Sequence, residues 1–563
     1  MRAARLTLAL GSVMALAACT GSPGGVDPAT VTSTSADAAS ATATASATPN
    51  PAPASELGAP SQKAIDLAAA DVADLTDQQL AGQLVVAAYS GTDPSGAADL
   101  VTEHHLAGVI TLGANVPEGD PVEPLTQMSA AVNQSVADDG RDWPAFLGID
   151  QEGGPITRVG EPLNQWPAAM AYGAAGDDDL TQRAAFASGE QVRAMGYTAV
   201  FAPIADVTTG PNDPTIGVRS PGSDPELVAA TAAAQSRGYA EAGLIPVAKH
   251  FPGHGSVSSD SHLGQVTQSA DLDMLQERDF VPFQSLIEQG APAIMTAHIV
   301  VEAIDDSQPA TLSSAVTTDL LRDDLGFDGL VITDALNMQA ITDEAQSGPA
   351  SVQALAAGSD VLLMPADPGA TVAAIEEALA DGTLKREDLE HSAALIVATL
   401  RSNDQPIPSS DVIGSNDDLS LKVAAAAVTQ VGVCDPLAAE SIQISGGSEA
   451  ERAALAAAAE SAGLSTDGGL QVQLVSAQGY QAAGEDAGGV TGVAPSADVV
   501  VALGTPYPLA DLGDEQVGLA AFGSNSDAMT ALAAVLSGQA QAPGTLPVAV
   551  GELEVGTGCG ADS

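Results

Sequence analysis

The chain has 563 residues, of which 45% are hydrophobic and only 3% aromatic, and its formal net charge is −55. That length accommodates two or three domains with sizeable cores. The charge excludes a nucleic-acid binder, because no basic surface exists to neutralise phosphates, and it excludes attachment by charge to an anionic membrane face.

The first residues read as an export signal. Arg2 and Arg5 precede an apolar run from Leu6 to Ala18 that is too short to cross a bilayer as a stable helix. The run ends in Leu16-Ala17-Ala18-Cys19, which resembles a bacterial lipobox. That resemblance implies removal of residues 1–18 as a lipoprotein signal peptide and a lipid on Cys19. Residues 19–60 are mostly Ala, Ser, Thr, Pro and Gly, a composition that builds no core and serves as a tether. The expected location is the extracellular face of the plasma membrane or the cell wall, with the lipid as the only membrane attachment. Of the 3 cysteines, Cys434 and Cys559 remain. In an exported protein, pairing them as a disulfide is expected over two free thiols.

From about Leu75, helical patterns alternate with buried strands. The apolar runs are Leu84–Ala88, Gly108–Leu112, Ala145–Asp150, Ala199–Pro203, Ile245–Ala248, Ala293–Thr296, Leu330–Asp334 and Asp360–Met364. Continuous apolar strands covered by helices imply a parallel sheet. Eight repeats fit a TIM-like (β/α)8 barrel over residues 61–401, with an eight-stranded doubly wound sheet as the alternative. Residues 402–418 are rich in Ser, Pro, Asn and Asp and read as a linker. Alternation resumes over 419–563 as a smaller α/β/α sandwich domain, with strands expected at Ser441–Ile444, Leu470–Val475, Val499–Leu503, Gly518–Phe522 and Leu546–Val550. This second domain carries no histidine, and no chemistry is assigned to it.

The stretch from Ala248 to His262 holds three of the chain's 7 histidines, with a lysine and an aspartate. The strand before it is expected to end at Ala248, and Pro252-Gly253 to turn the chain into a loop. Other strand ends also carry polar groups: Asp150 with Arg158 beyond it, Asp206 with Arg219 further on, Lys249 and His250, His298, and Asp334. A barrel converges such positions on one face. Asp, Arg, Lys and His together suit the hydroxyls of a sugar through charge-assisted hydrogen bonds. Asp334 is the nucleophile candidate, since a strand-end carboxylate can attack an anomeric carbon. In Asp260-Ser261-His262, residues two apart lie on one side of an extended loop, so Asp260 can orient His262 as the proton donor. Zinc is the competing use of His250, His254, Asp260 and His262, but the spacing matches no helical His-x-x-x-His pair and Lys249 opposes a cation. No glycine loop for a nucleotide is present, so neither metal nor cofactor is expected.

Lys249-His250-Phe251-Pro252-Gly253-His254-Gly255 followed by Asp260-Ser261-His262 closely resembles the β-N-acetylhexosaminidase branch of glycoside hydrolase family 3. The resemblance covers about Leu75 to Leu400 in motif order and extends more weakly beyond. It implies a barrel followed by an α/β sandwich, Asp334 as nucleophile, His262 as general acid/base and Asp260 as its partner. It further implies that Asp150, Arg158, Arg219, Lys249 and His250 bind the sugar. The implied activity is exo-acting, retaining release of terminal β-linked N-acetylglucosamine from peptidoglycan fragments or chitooligosaccharides by a monomer. Pro155 stands where the family commonly has arginine, Ser256-Val257 replaces Asp-Thr, and Pro221 breaks an expected Arg-Ser-Phe-Gly. Alternatives are a phosphorylase or β-glucosidase of the same family, or an inactive, surface-anchored glycan-binding lipoprotein.

Overall fold

A computed structural model of the chain describes residues 55–257, 259, 264–342, 347–476 and 492–560. Cys19 and the expected signal lie outside these residues, as do Asp260 and His262. The first sheet has eight parallel strands: β1 (Val85–Ala88), β2 (Gly108–Thr111), β3 (Phe146–Ile149), β4 (Ala199–Val200), β5 (Ile245–Phe251), β6 (Ala293–Thr296), β7 (Leu330–Thr333) and β8 (Leu362–Leu363). Neighbours follow chain order from β1 to β7, β8 pairs with β1, and a bridge between Ile332 and Val361 joins the two ends. The architecture is a (β/α)8 barrel, not an open doubly wound sheet.

Helices cover the outside of the strands and side chains fill the inside, so each strand reads as an unbroken apolar run. The interior is tightly packed: a Cβ added at Gly148 would stand 2.6 Å from the Phe201 ring. Several covering helices start on an Asp-Pro pair, at Asp93-Pro94, Asp224-Pro225 and Asp367-Pro368. Each aspartate accepts a backbone N–H of the first turn, while the proline occupies a position whose N–H has no helical partner.

The strand expected to end at Ala248 continues to Phe251. Lys249 N donates to the Pro203 carbonyl (3.1 Å), and Ala297 N donates to the Phe251 carbonyl (2.7 Å). Neighbours on both sides therefore hold Lys249 and His250 within the strand. The break comes at Pro252, which has no N–H for the ladder.

The second sheet runs in the order β9 (Thr429–Gly432), β13 (Val517–Ala520), β12 (Val499–Ala502), β11 (Ser465–Val475), β10 (Ser441–Gly446), and only β9 is antiparallel to its neighbour. Helices Asp417–Ala427, Glu449–Ser461 and Ser526–Leu536 contribute to the core on one face. The opposite face packs on Leu509, Leu546, Val548 and Val550 and on the barrel helix Ala169–Ala175. Leu546–Val550, expected as a strand, does not join the sheet. Pro547 removes a ladder donor, and its carbonyl instead accepts Ser223 N of the barrel (3.0 Å). Leu546, Val548 and Val550 are buried among groups from both domains.

The stretch between the domains is anchored to the barrel. Arg193 Nη2 donates to Asp404 (2.9 Å) and to the Gln405 carbonyl (2.6 Å), and Asn164 donates to Asp417 (2.7 Å). In the sandwich domain Cys434 and Cys559 form a disulfide with a Cα–Cα distance of 5.3 Å and a sequence separation of 125.

Candidate active site

At the carboxyl ends of the barrel strands lies a cavity of about 250 Å³. Asp150, Arg158, Arg219, Lys249, His250 and Asp334 all line it. Asp150 follows β3 directly, and the chain then makes a hairpin of Gln151–Gly153 with Ile156–Thr157 that carries Glu152 and leads to Arg158. Arg219 ends a short 3-10 turn, Gly217–Arg219, after β4. Lys249 and His250 belong to β5, and Asp334 follows β7.

Lys249 Nζ lies 2.7 Å from Asp150 Oδ1 and 2.7 Å from Glu152 Oε1. Arg219 grips Glu152 with two hydrogen bonds, Nε to Oε2 at 2.9 Å and Nη2 to Oε1 at 2.8 Å. Arg158 Nη2 is 3.3 Å from Asp150 Oδ2. Burial pushes the Glu152 carboxyl up, but the Arg219 guanidinium and Lys249 ammonium outweigh it and hold the group down at about 2. Burial likewise raises Asp150, and Lys249 and Arg158 return it below the usual carboxylate range. Burial lowers Lys249, and the two carboxylates more than offset this, so the ammonium persists. The result is two carboxylates held among three basic side chains, rich in donors and acceptors fixed for a hydroxylated ligand.

A second network sits beside it. Asp206, fully buried, accepts from His250 N (3.1 Å) and His254 N (2.7 Å) through Oδ1, and its Oδ2 lies 2.7 Å from His250 Nδ1. Burial raises Asp206, and His250 and His254 bring it below its ordinary value. Burial, helped by His250, lowers His254 to about 4, so its imidazole is neutral near pH 7. Asp206 therefore ties the turn after β5 to β4 and sets the His250 ring.

Asp334 N donates to the Thr296 carbonyl (3.0 Å), and its Oδ1 accepts Ala335 N (2.7 Å). Buried His298 donates through Nε2 to the Ala335 carbonyl (3.0 Å), and its Nδ1 meets the Thr311 hydroxyl (2.9 Å). These contacts orient the strand end that presents the Asp334 carboxylate. Ser256, in the turn after β5, donates to Asp279 Oδ1 (2.8 Å).

Sequence reasoning gave Glu152 no part in the site; it placed Asp206 among the polar strand ends and His254 in the motif after β5, but gave neither a role in the sugar site. Glu152 stands two residues after Asp150 in extended chain, so alternation places both on one side. That was the available clue. For Asp206 and His254 the residue types were visible, but their partner is 44–48 residues distant in sequence. Among the described residues no cluster of His, Cys, Asp and Glu is arranged to hold a metal ion.

Similarity to known proteins agrees with this geometry. Residues 75–399 match the Glycosyl hydrolase family 3 N terminal domain. Beta-hexosaminidase A of Pseudoalteromonas piscicida is 32% identical over 372 residues, 60% of this chain and 62% of that protein, so the match spans less than two thirds of it. Beta-hexosaminidase LpqI of Mycobacterium tuberculosis is 35% identical over 332 residues, 57% of this chain and 82% of its own length. The structure of a family 3 beta-N-acetylglucosaminidase from Paenibacillus sp. str. FPU-7 superposes with a TM-score of 0.74 at 29% identity, covering 86% of this chain and 100% of that one. With the matched domain spanning more than half of its length, the chain belongs to glycosyl hydrolase family 3.

Proposed function

We propose that the protein is an exo-acting, retaining β-N-acetylhexosaminidase that releases terminal β-linked N-acetylglucosamine from peptidoglycan fragments or chitooligosaccharides. The observation that carries this reading is the Asp150–Lys249–Glu152–Arg219 network lining the same cavity as Asp334. A cavity of about 250 Å³ is small for a ligand pocket and suits one terminal sugar unit. The names of the relatives, beta-hexosaminidase and beta-N-acetylglucosaminidase, support the choice of sugar.

In this mechanism the charged network holds the sugar hydroxyls and fixes C1 against Asp334. The Asp334 carboxylate attacks C1 as the glycosidic C–O bond breaks, and His262, paired with Asp260, gives its proton to the departing oxygen. Neutral His262 then takes a proton from water, whose oxygen attacks C1 and releases Asp334. Two inversions give net retention. The mature chain is held outside the plasma membrane by a lipid on Cys19 and the tether that follows, a reading supported by Arg2, Arg5 and the Leu16–Cys19 motif.

The test is hydrolysis of a chromogenic β-N-acetylglucosaminide, with the matching β-glucoside as control and the product anomer followed by NMR. Asp334→Ala is expected to lose turnover, and His262→Ala to lose about 10²–10⁴-fold. An active Asp334→Ala enzyme, or an inverted first product, overturns the assignment.

A further inference from the structure

A second cavity, of about 400 Å³, lies where the barrel meets the sandwich domain. It shares walls with the candidate active site. In the hairpin after β3, Glu152, Ile156 and Arg158 line the first cavity, while Gly154, Pro155 and Thr157 line the second. Side chains alternate across an extended strand, so one strip of backbone serves two chambers. The same division occurs in the 3-10 turn, where Arg219 faces the first and Val218 the second.

The second chamber is already built. Gly154 N donates to the Trp166 carbonyl (2.9 Å), and Asn525 Nδ2 of the sandwich domain donates to the Gln165 carbonyl of the barrel (2.9 Å). Asn525 is in turn fixed as the N-cap of helix Ser526–Leu536. Trp166 and Phe522 line the chamber but are 6% and 0% exposed, so they back its wall, and Ser476, Ser524 and Gln165 stand beside them.

The lining chemistry narrows the ligand. Among the described residues Glu451 lines the chamber and no Lys, Arg or His does, in a protein of net charge −55, so an anion is disfavoured. The Ser476 and Ser524 hydroxyls and the Gln165 amide, beside the apolar walls of Pro155, Val218 and Leu503, fit a neutral ring with an apolar face and hydroxyl groups. We propose that this chamber is a second binding site for a neutral saccharide unit, separate from the cavity containing Asp334. The choice of saccharide rests on the glycosidase reading. An occupant touches the backbone that carries Glu152, Arg158 and Arg219, and any coupling between the two sites is reciprocal.

The chain has only 2 tryptophans, and Trp143 lines neither cavity. The test is therefore a titration of the Trp143→Phe protein with N-acetylglucosamine, and in parallel with glucose, read by Trp166 fluorescence. The wild type serves if that variant does not fold. A saturable change is expected with at least one sugar. It should weaken at least tenfold in Ser524→Tyr, which fills the chamber from its exposed rim, and persist in Asp150→Asn, which alters only the first cavity. No response, a response that survives Ser524→Tyr, or one that disappears in Asp150→Asn overturns the proposal. Hydrolysis is not read here, so failure of the glycosidase assay and failure of this site are distinguishable.

Discussion

Glu152 and Arg219, 67 residues apart in sequence, form a two-point ion pair inside the protein, with each side chain almost fully buried. Removing one partner of such a pair leaves a buried charge uncompensated, at a cost of about 3–5 kcal/mol. Glu152→Gln is therefore expected to destabilise the barrel on that order, because the amide can accept only one of Arg219's two bonds. Lys249 also loses one of its two carboxylates, so KM for a glycoside substrate should rise. Urea unfolding and steady-state kinetics on the same preparation check both effects. Unchanged stability together with unchanged KM would show that the pair is dispensable.

Buried His254 and Glu152 should each contribute a loss of stability in acid. The His254 pKa is depressed from 6.5 to about 4, so its unfolded state binds the proton first and stability is lost as pH falls through that interval. Glu152 is depressed from 4.5 to about 2, which extends the loss to lower pH with the same sign. Asp150 and Asp206, both lowered, add to the acid side. Chemical denaturation between pH 7 and pH 3 tests this, and His254→Asn should flatten the upper part of the profile. A stability curve rising toward pH 4 would contradict it.

Asp213 organises the loop that presents Arg219. Its carboxylate accepts from Thr215 N (3.2 Å), Ile216 N (2.9 Å), Gly217 N (3.0 Å) and the Thr208 hydroxyl (2.9 Å). Asp213→Ala frees this turn, and a displacement of about 1 Å in a binding group is enough to lower kcat/KM on the order of 10²-fold. Asp213→Asn, which keeps a carbonyl oxygen, should recover part of the loss. Equal loss in both variants would make the charge, rather than the turn, the important property.

The Cys434–Cys559 disulfide closes a loop with a sequence separation of 125, and Cys434 is exposed. By the chain-entropy argument, a loop of this length stabilises the fold by about 4–5 kcal/mol. Reducing agent should lower the unfolding temperature of the sandwich domain more than that of the barrel. Calorimetry with and without reductant, alongside Cys434→Ser, separates the domains. A barrel transition that moves as far as the sandwich transition would show the two unfold as one unit.

The eight barrel strands were legible because burial on both faces writes a continuous apolar run into local sequence, and Asp150, Lys249, His250 and Asp334 could be placed by their position at strand ends. Leu546–Val550 shows the limit of that reasoning. Its apolar run records burial, but burial between two domains leaves the same trace as burial in a sheet. Thr429–Gly432 shows the converse, a short antiparallel edge strand whose sequence carries little pattern.

The sequence by itself determined the alternation of strand and helix and the set of polar strand ends, since each depends on a local period or a local composition. Only the tertiary structure decided which charges meet. Lys249 lies between Asp150 and Glu152, Arg219 grips Glu152, and Asp206 holds the two histidine backbones, because barrel closure brings loops from β3, β4 and β5 together. Ion pairing acts over a few ångströms in space and leaves no period along the chain, so these partnerships appear only once the strands have closed into a ring.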